Sequence, residues 1–106
     1  MSDALHKLIE AVEAGVWPGD TAPIWGEDLH LTAYDAYNGS LDAAKVLHEA
    51  LLPGWFWGCG SGDDRPFGAG VGKDDDDRFL TEADNPARAW LLAILRAYAT
   101  QQEPAA

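Results

Sequence analysis

One cysteine and three histidines are the first candidates for chemistry in this chain. A thiolate nucleophile needs a base within hydrogen-bond reach and donors for the oxyanion, and the glycines beside Cys59 could expose backbone amides. The candidate bases, His30 and His48, are scattered along the chain, and His48 belongs to the apolar stripe of a predicted helix. The sequence favours a packed or rim histidine there. A small cysteine-dependent hydrolase is the remote alternative.

Clustered carboxylates are the second candidate for chemistry. Asp63 and Asp64 are followed after nine residues by the unbroken run Asp74, Asp75, Asp76 and Asp77. A calcium loop needs alternating ligands, a central glycine and a terminal bidentate carboxylate, and a consecutive run lacks that arrangement. Zinc is disfavoured because the chain has neither a Cys-x-x-Cys nor a His-x-x-x-His spacing. We therefore expect solvated hairpin tips, no metal and no other cofactor.

A glycine-rich stretch covers residues 58–72, and its end superficially matches a phosphate-binding loop. The match fails at both ends, because Phe67 stands where the first glycine of that motif belongs and Asp74 replaces its magnesium-binding hydroxyl. An aspartate at that position would also repel a phosphate. We reject nucleotide binding.

Aromatic residues form the third set. The strand-like segments carry one group that we expect in the core under the helices: Trp55, Trp57, Phe67 and Phe79. The loop segment 16–27 and the region after it carry another group, which we regard as candidate interface residues because tryptophan and tyrosine are enriched at binding hot spots: Trp17, Trp25, Tyr34 and Tyr37. We also expect Trp17 and Trp25 to fold back onto the core.

Charge limits the classes of partner. The 106 residues include 18 acidic and 7 basic side chains, giving a net charge of −11. A negative field repels phosphate backbones and anionic lipids, so direct binding to nucleic acid or to a membrane is disfavoured. It is compatible with a basic protein surface, including one that holds nucleic acid. The simpler interpretation is that the charge serves solubility alone. Neither a secretory signal nor a membrane-spanning run is expected, and we predict a soluble, cytoplasmic protein.

Four segments have helical patterns. Leu5, Leu8, Ile9 and Val12 form one apolar stripe and predict a helix over 3–14. Residues 27–37 favour a short helix. Ser40 is a natural N-cap for the next helix, which Pro53 and Gly54 end. Asn85 and Pro86 begin a last, apolar helix over 87–100, and residues 100–106 are expected to form a frayed tail.

The region between the last two helices predicts strands near 55–60, 66–71 and 78–82, joined as an antiparallel meander. Gly68, Gly70 and Gly72 indicate a twisted or bulged middle strand. The predicted fold is α+β: one domain over residues 1–106, with helices packed on a small three-stranded antiparallel sheet in the order α-α-β-β-β-α.

Three segments of the chain resemble a known group: Ser-Leu-Asp-Ala-Ala from Ser40, Leu-Leu-Pro-Gly-Trp-Phe-Trp from Leu51 and Asn-Pro-Ala-Arg-Ala-Trp-Leu-Leu-Ala-Ile-Leu-Arg-Ala from Asn85. They resemble small uncharacterised bacteriophage and prophage proteins described as phage alpha-beta-alpha sandwich domains. The likeness covers roughly residues 36–98. Its motifs are structural, so the resemblance implies the fold and a phage origin, and places the protein in the cytoplasm of a bacterial host.

The expected function is non-enzymatic: a phage or prophage accessory protein that binds a host protein with a basic surface. An acidic inhibitor such as an anti-CRISPR protein, competing for a nucleic-acid-binding surface, is the leading hypothesis. The alternative is a phage structural component, assembly component or chaperone. The residues predicted to contact the partner lie in the acidic loops and the tryptophan loop: Asp63, Asp64, Asp74, Asp75, Asp76, Asp77, Trp17 and Trp25.

Overall fold

The computed structural model describes residues 3–17, 27–60, 67–72, 78–83 and 85–102. Within these ranges the chain forms four helices and three strands. Their order is α1 (Asp3–Ala14), α2 (Glu27–Tyr37), α3 (Leu41–Leu51), β1 (Phe56–Gly60), β2 (Phe67–Gly72), β3 (Arg78–Ala83) and α4 (Pro86–Gln102).

The predicted α+β class, with helices on a three-stranded antiparallel sheet, is confirmed. The helices predicted over 3–14 and 27–37 have those bounds. With the short helix over 27–37 included, three helices precede the sheet. The strands lie within one residue of the predicted bounds. The last helix continues to Gln102, so it takes up the first part of the predicted tail.

The ends of the helices follow from local hydrogen bonds. The Ser40 hydroxyl accepts a 3.1 Å hydrogen bond from the Ala43 amide, and the Asn85 side-chain oxygen accepts one of 2.7 Å from the Arg88 amide. Each bond satisfies an amide that the first turn of a helix leaves without an intrahelical acceptor. At the other end of α1, Gly15 takes a φ of +79°, a conformation that favours glycine.

The sheet is a simple meander in the order β1-β2-β3, with both pairs antiparallel. Its register is continuous from Phe56 opposite Gly72 to Gly60 opposite Gly68, and again from β2 to β3. The bulge that the glycines of the middle strand suggested is therefore wrong for the described residues. The glycines of the middle strand instead all lie on one face of the sheet, because alternate residues of a strand share a face.

Helix α4 lies at the centre of the fold. It packs against all three strands on one side and against α1, α2 and α3 on the other. All residues from Ala89 to Leu95 are buried, so this helix is apolar around most of its circumference. The predicted burial of the last helix is confirmed, and the molecule has the layered, sandwich-like arrangement that the sequence indicated.

Truncating a side chain at the centre of α4 should lower the free energy of unfolding strongly. Leu95 is fully buried, so Leu95→Ala removes core contacts and leaves a cavity, at a cost of about 2–5 kcal/mol. Urea unfolding followed by circular dichroism measures the change. The control is Leu41→Ala at an exposed position of α3, where we expect a change within about 0.5 kcal/mol. Equal effects at both positions would contradict the central position of α4.

Candidate functional site

His48 is part of a buried hydrogen-bond network rather than of an open site. Only 2% of its surface is exposed. Its Nδ1 accepts a 3.3 Å hydrogen bond from the Trp90 indole N–H, so Nε2 must carry the proton that is donated, over 2.9 Å, to the Trp55 carbonyl. Both ring nitrogens are therefore occupied, and the predicted packed histidine is confirmed.

The proposed thiol–imidazole pair finds no support at His48, because neither of its nitrogens is available to accept a proton from a thiol. Cys59 lies in β1 opposite Ala69, and its side chain lies outside the described part of the structure. The same is true of the His30 side chain. The hypothesis of a cysteine-dependent hydrolase stays a sequence-based alternative.

Most of the predicted contact residues fall outside the described ranges. This applies to Asp63 and Asp64, to the run Asp74 to Asp77, and to Trp25. Within the described ranges, no group of three or more histidine, cysteine, aspartate or glutamate side chains is placed to hold a metal ion. Binding by the two acidic segments stays a prediction, because both lie outside the described ranges.

Trp17 folds back onto the core, as predicted. Its ring centroid lies 5.4 Å from those of both Tyr34 and Tyr37, and the rings are tilted relative to each other. The guanidinium of Arg88 lies 3.9 Å from the Tyr37 ring centroid, and its Nε–H donates a 3.0 Å hydrogen bond to the Tyr37 carbonyl. These contacts join the end of α1 to α2 and α4, so we assign Trp17 mainly a packing role.

Trp57 is not the core residue that the sequence predicted. Its ring stacks on the Trp90 indole, with centroids 4.1 Å apart and planes inclined by 23°. Nevertheless 44% of the side chain is exposed, because β1 is an edge strand and α4 covers one side of the ring. Trp55 and Phe79 are half-buried against the core, with centroids 6.3 Å apart. The Phe67 side chain lies outside the described residues.

The face of the sheet turned away from α4 carries Leu80, which is the most exposed of the large apolar side chains in the described residues. In register across the three strands, Gly58 pairs with Gly70 and Gly70 with Leu80. Phe56 shares this face and is 45% exposed, while Leu80 is 73% exposed. Together they border a hollow of 280 Å³ whose floor is formed by the two glycines. We call this surface, defined by Phe56, Gly58, Gly70 and Leu80, the open face.

The hollow exists because the floor has no side chains. A Cβ atom placed on Gly70 would lie 2.7 Å from the Leu80 Cδ2, so a larger residue there would have to displace the Leu80 side chain. The alternation of glycine at Gly68, Gly70 and Gly72 was a signal for this face. The three glycines suggest a twisted or bulged strand, but their period of two also places all of them on the same side of the sheet.

The part of the sequence that contains the strands is rich in acidic residues. The sequence from Phe56 to Asp84 contains eight acidic and three basic residues, which is nearly half of the net charge of the chain. Of the described charged residues, Arg78 and Glu82 lie two residues before and after Leu80 and therefore share its face. The described site is thus an apolar hollow with one basic and one acidic position beside it, in a chain whose net charge is −11.

Comparison with protein-family models, with curated proteins and with solved structures finds no match for this chain. In the described part of the chain, no helix is both long enough and apolar enough to cross a membrane.

The His48 network should contribute measurably to stability. His48→Phe leaves the Trp90 N–H and the Trp55 carbonyl without their buried partner, so the free energy of unfolding should fall by about 1–3 kcal/mol. Chemical denaturation measures the change. His6→Phe, at an exposed position of α1, is the matched control and should stay within about 0.5 kcal/mol.

A double-mutant cycle then measures the interaction between His48 and Trp90. His48→Phe and Trp90→Phe should show a coupling free energy of about 0.5–3 kcal/mol, because the two rings contact each other directly. Additive effects would contradict the assignment of Trp90 as donor to His48.

Proposed function

We propose that this chain is a non-enzymatic protein-binding module whose open face contacts a partner with a basic surface. In its most specific form, it is a phage or prophage accessory protein that acts in the cytoplasm of a bacterial host. There it is an acidic inhibitor, such as an anti-CRISPR protein, that competes with nucleic acid for a host protein.

The observation that carries the proposal is the apolar open face on an acidic protein. Phe56 on β1 and Leu80 on β3 are both exposed and line one hollow across the glycines of the middle strand. Large exposed apolar residues grouped around a hollow are typical of surfaces that another protein covers, and an aromatic anchor is typical of binding hot spots. Isolated exposed leucines elsewhere on the surface need no such explanation.

Charge supports the basic character of the partner. At a net charge of −11, long-range attraction speeds encounter with a positive surface, and repulsion disfavours acidic partners. A host protein that binds nucleic acid offers such a surface, so the acidic chain and the nucleic acid would compete for it. The phage origin is supported separately, by the resemblance of the segments that begin at Ser40, Leu51 and Asn85.

Affinity capture from bacterial lysate, followed by mass spectrometry and purification of the captured protein, tests the charge argument. The affinity should fall at least about tenfold between about 50 and about 500 mM salt, because electrostatic attraction is screened. The chain should also displace nucleic acid from the purified partner. Binding that is insensitive to salt would contradict the proposal. Presence in purified phage particles without such a partner would favour a structural or assembly role.

Replacing Leu80 tests the open face separately from charge. Leu80→Gln removes a neutral apolar contact, so affinity for the captured partner should fall about tenfold or more, with little change in thermal unfolding because the side chain is exposed. Leu31→Gln on α2 is the matched control, since Leu31 is also a leucine with a largely exposed side chain. Titration calorimetry measures both. Equal affinities of the two variants would place the contact outside the open face.

A further inference from the structure

The two edges of the sheet differ in how well they are protected against pairing with another chain. In the strand order β1-β2-β3, both β1 and β3 pair with β2 alone among the residues that the structure describes. Edge strands present backbone N–H and C=O groups to solvent, and proteins commonly protect them with charged residues or proline. The residues of β1 and β3 therefore determine which edge of the sheet could accept a further strand.

The β3 edge is protected and the β1 edge is not. Strand β3 contains two charged residues, Arg78 and Glu82, on either side of Leu80. Strand β1 has the sequence Phe-Trp-Gly-Cys-Gly, with neither a charge nor a proline. Its first three residues, 56–58, are all exposed. Only β1 thus combines an uncharged edge with accessible side chains.

Both faces beside the β1 edge offer contacts to an added strand. On the open face, such a strand would place alternate side chains beside Phe56 and over Gly58, whose missing side chain gives access to the 280 Å³ hollow. On the opposite face, the intervening side chains would lie beside the half-exposed Trp57 ring, which Trp90 holds in place. Apolar residues suit the hollow, and lysine or arginine suits the exposed indole.

We propose that β1 accepts a strand from the partner: an extended basic segment, with apolar and cationic residues in alternation, pairs with the Phe56–Gly60 edge and fills the open face. This inference rests on the proposed function and adds its mode of recognition. A second copy of the chain is the less favoured occupant, because two copies would bring together net charges of −11 each.

A synthetic heptapeptide that alternates lysine and isoleucine, acetylated and amidated at its ends, is the probe. Its control is the same peptide N-methylated throughout, which keeps the side chains and charges and removes the amide donors that pairing needs. Titration calorimetry with the full chain should show binding of the parent peptide at least about tenfold tighter than of the control, since several backbone hydrogen bonds are lost together.

Gly58→Val provides the matching change in the protein. A Cβ on Gly58 meets open space, so the variant should fold and unfold at a temperature at least as high as the wild type, while the new side chain obstructs the hollow. Affinity for the parent peptide should fall about tenfold. Retention of full affinity would overturn the predicted position of the strand.

The remaining outcomes separate this inference from the proposed function. Equal binding of the two peptides, or binding of neither, overturns strand addition, while salt-sensitive capture of a host partner would leave the proposed function intact. Sedimentation velocity of the free chain is a further check. A dimer that Gly58→Val dissociates would show that a second copy occupies the edge and would also overturn the inference.

Discussion

Burial of α4 between two layers is the constraint on which the rest of the structure depends. A three-stranded sheet in which every second residue of the middle strand is glycine has little apolar surface of its own to bury. Ala69 and Val71 supply that surface on the inner face, and both pack against the core around α4. The three remaining helices use the opposite side of α4 in the same way. One apolar helix therefore joins the sheet to the layer formed by α1, α2 and α3.

Trp90 connects this core to the proposed binding edge. Its indole N–H donates a hydrogen bond to His48, and its ring stacks on that of Trp57 in β1. His48 in turn donates to the carbonyl of Trp55, the residue just before β1. The edge strand is thus fixed by buried contacts while its outer side stays exposed. A preformed edge reduces the ordering cost of binding, which suits a surface that recognises the backbone of an extended partner.

Local signals were sufficient to predict the helices and the order of the strands. Ser40 and Asn85 act as the caps that their residue types indicated, and the stripe around Leu8 is buried. The site was harder to predict. The exposure of Trp57 depends on β1 being an edge strand, and residue type alone favoured the core. Pairing partners that are distant in sequence decide such features, so composition and periodicity do not determine them.

The proposed open face also changes where function is expected, from the acidic loops to the strands that they connect. Amide hydrogen exchange of the chain, alone and bound to a purified host partner, tests this claim most directly. We expect binding to slow exchange in β1, within Phe56–Gly60, and to leave the exchange of the α1 and α2 amides unchanged. Slowed exchange confined to α1 and α2, with β1 unaffected, would contradict it.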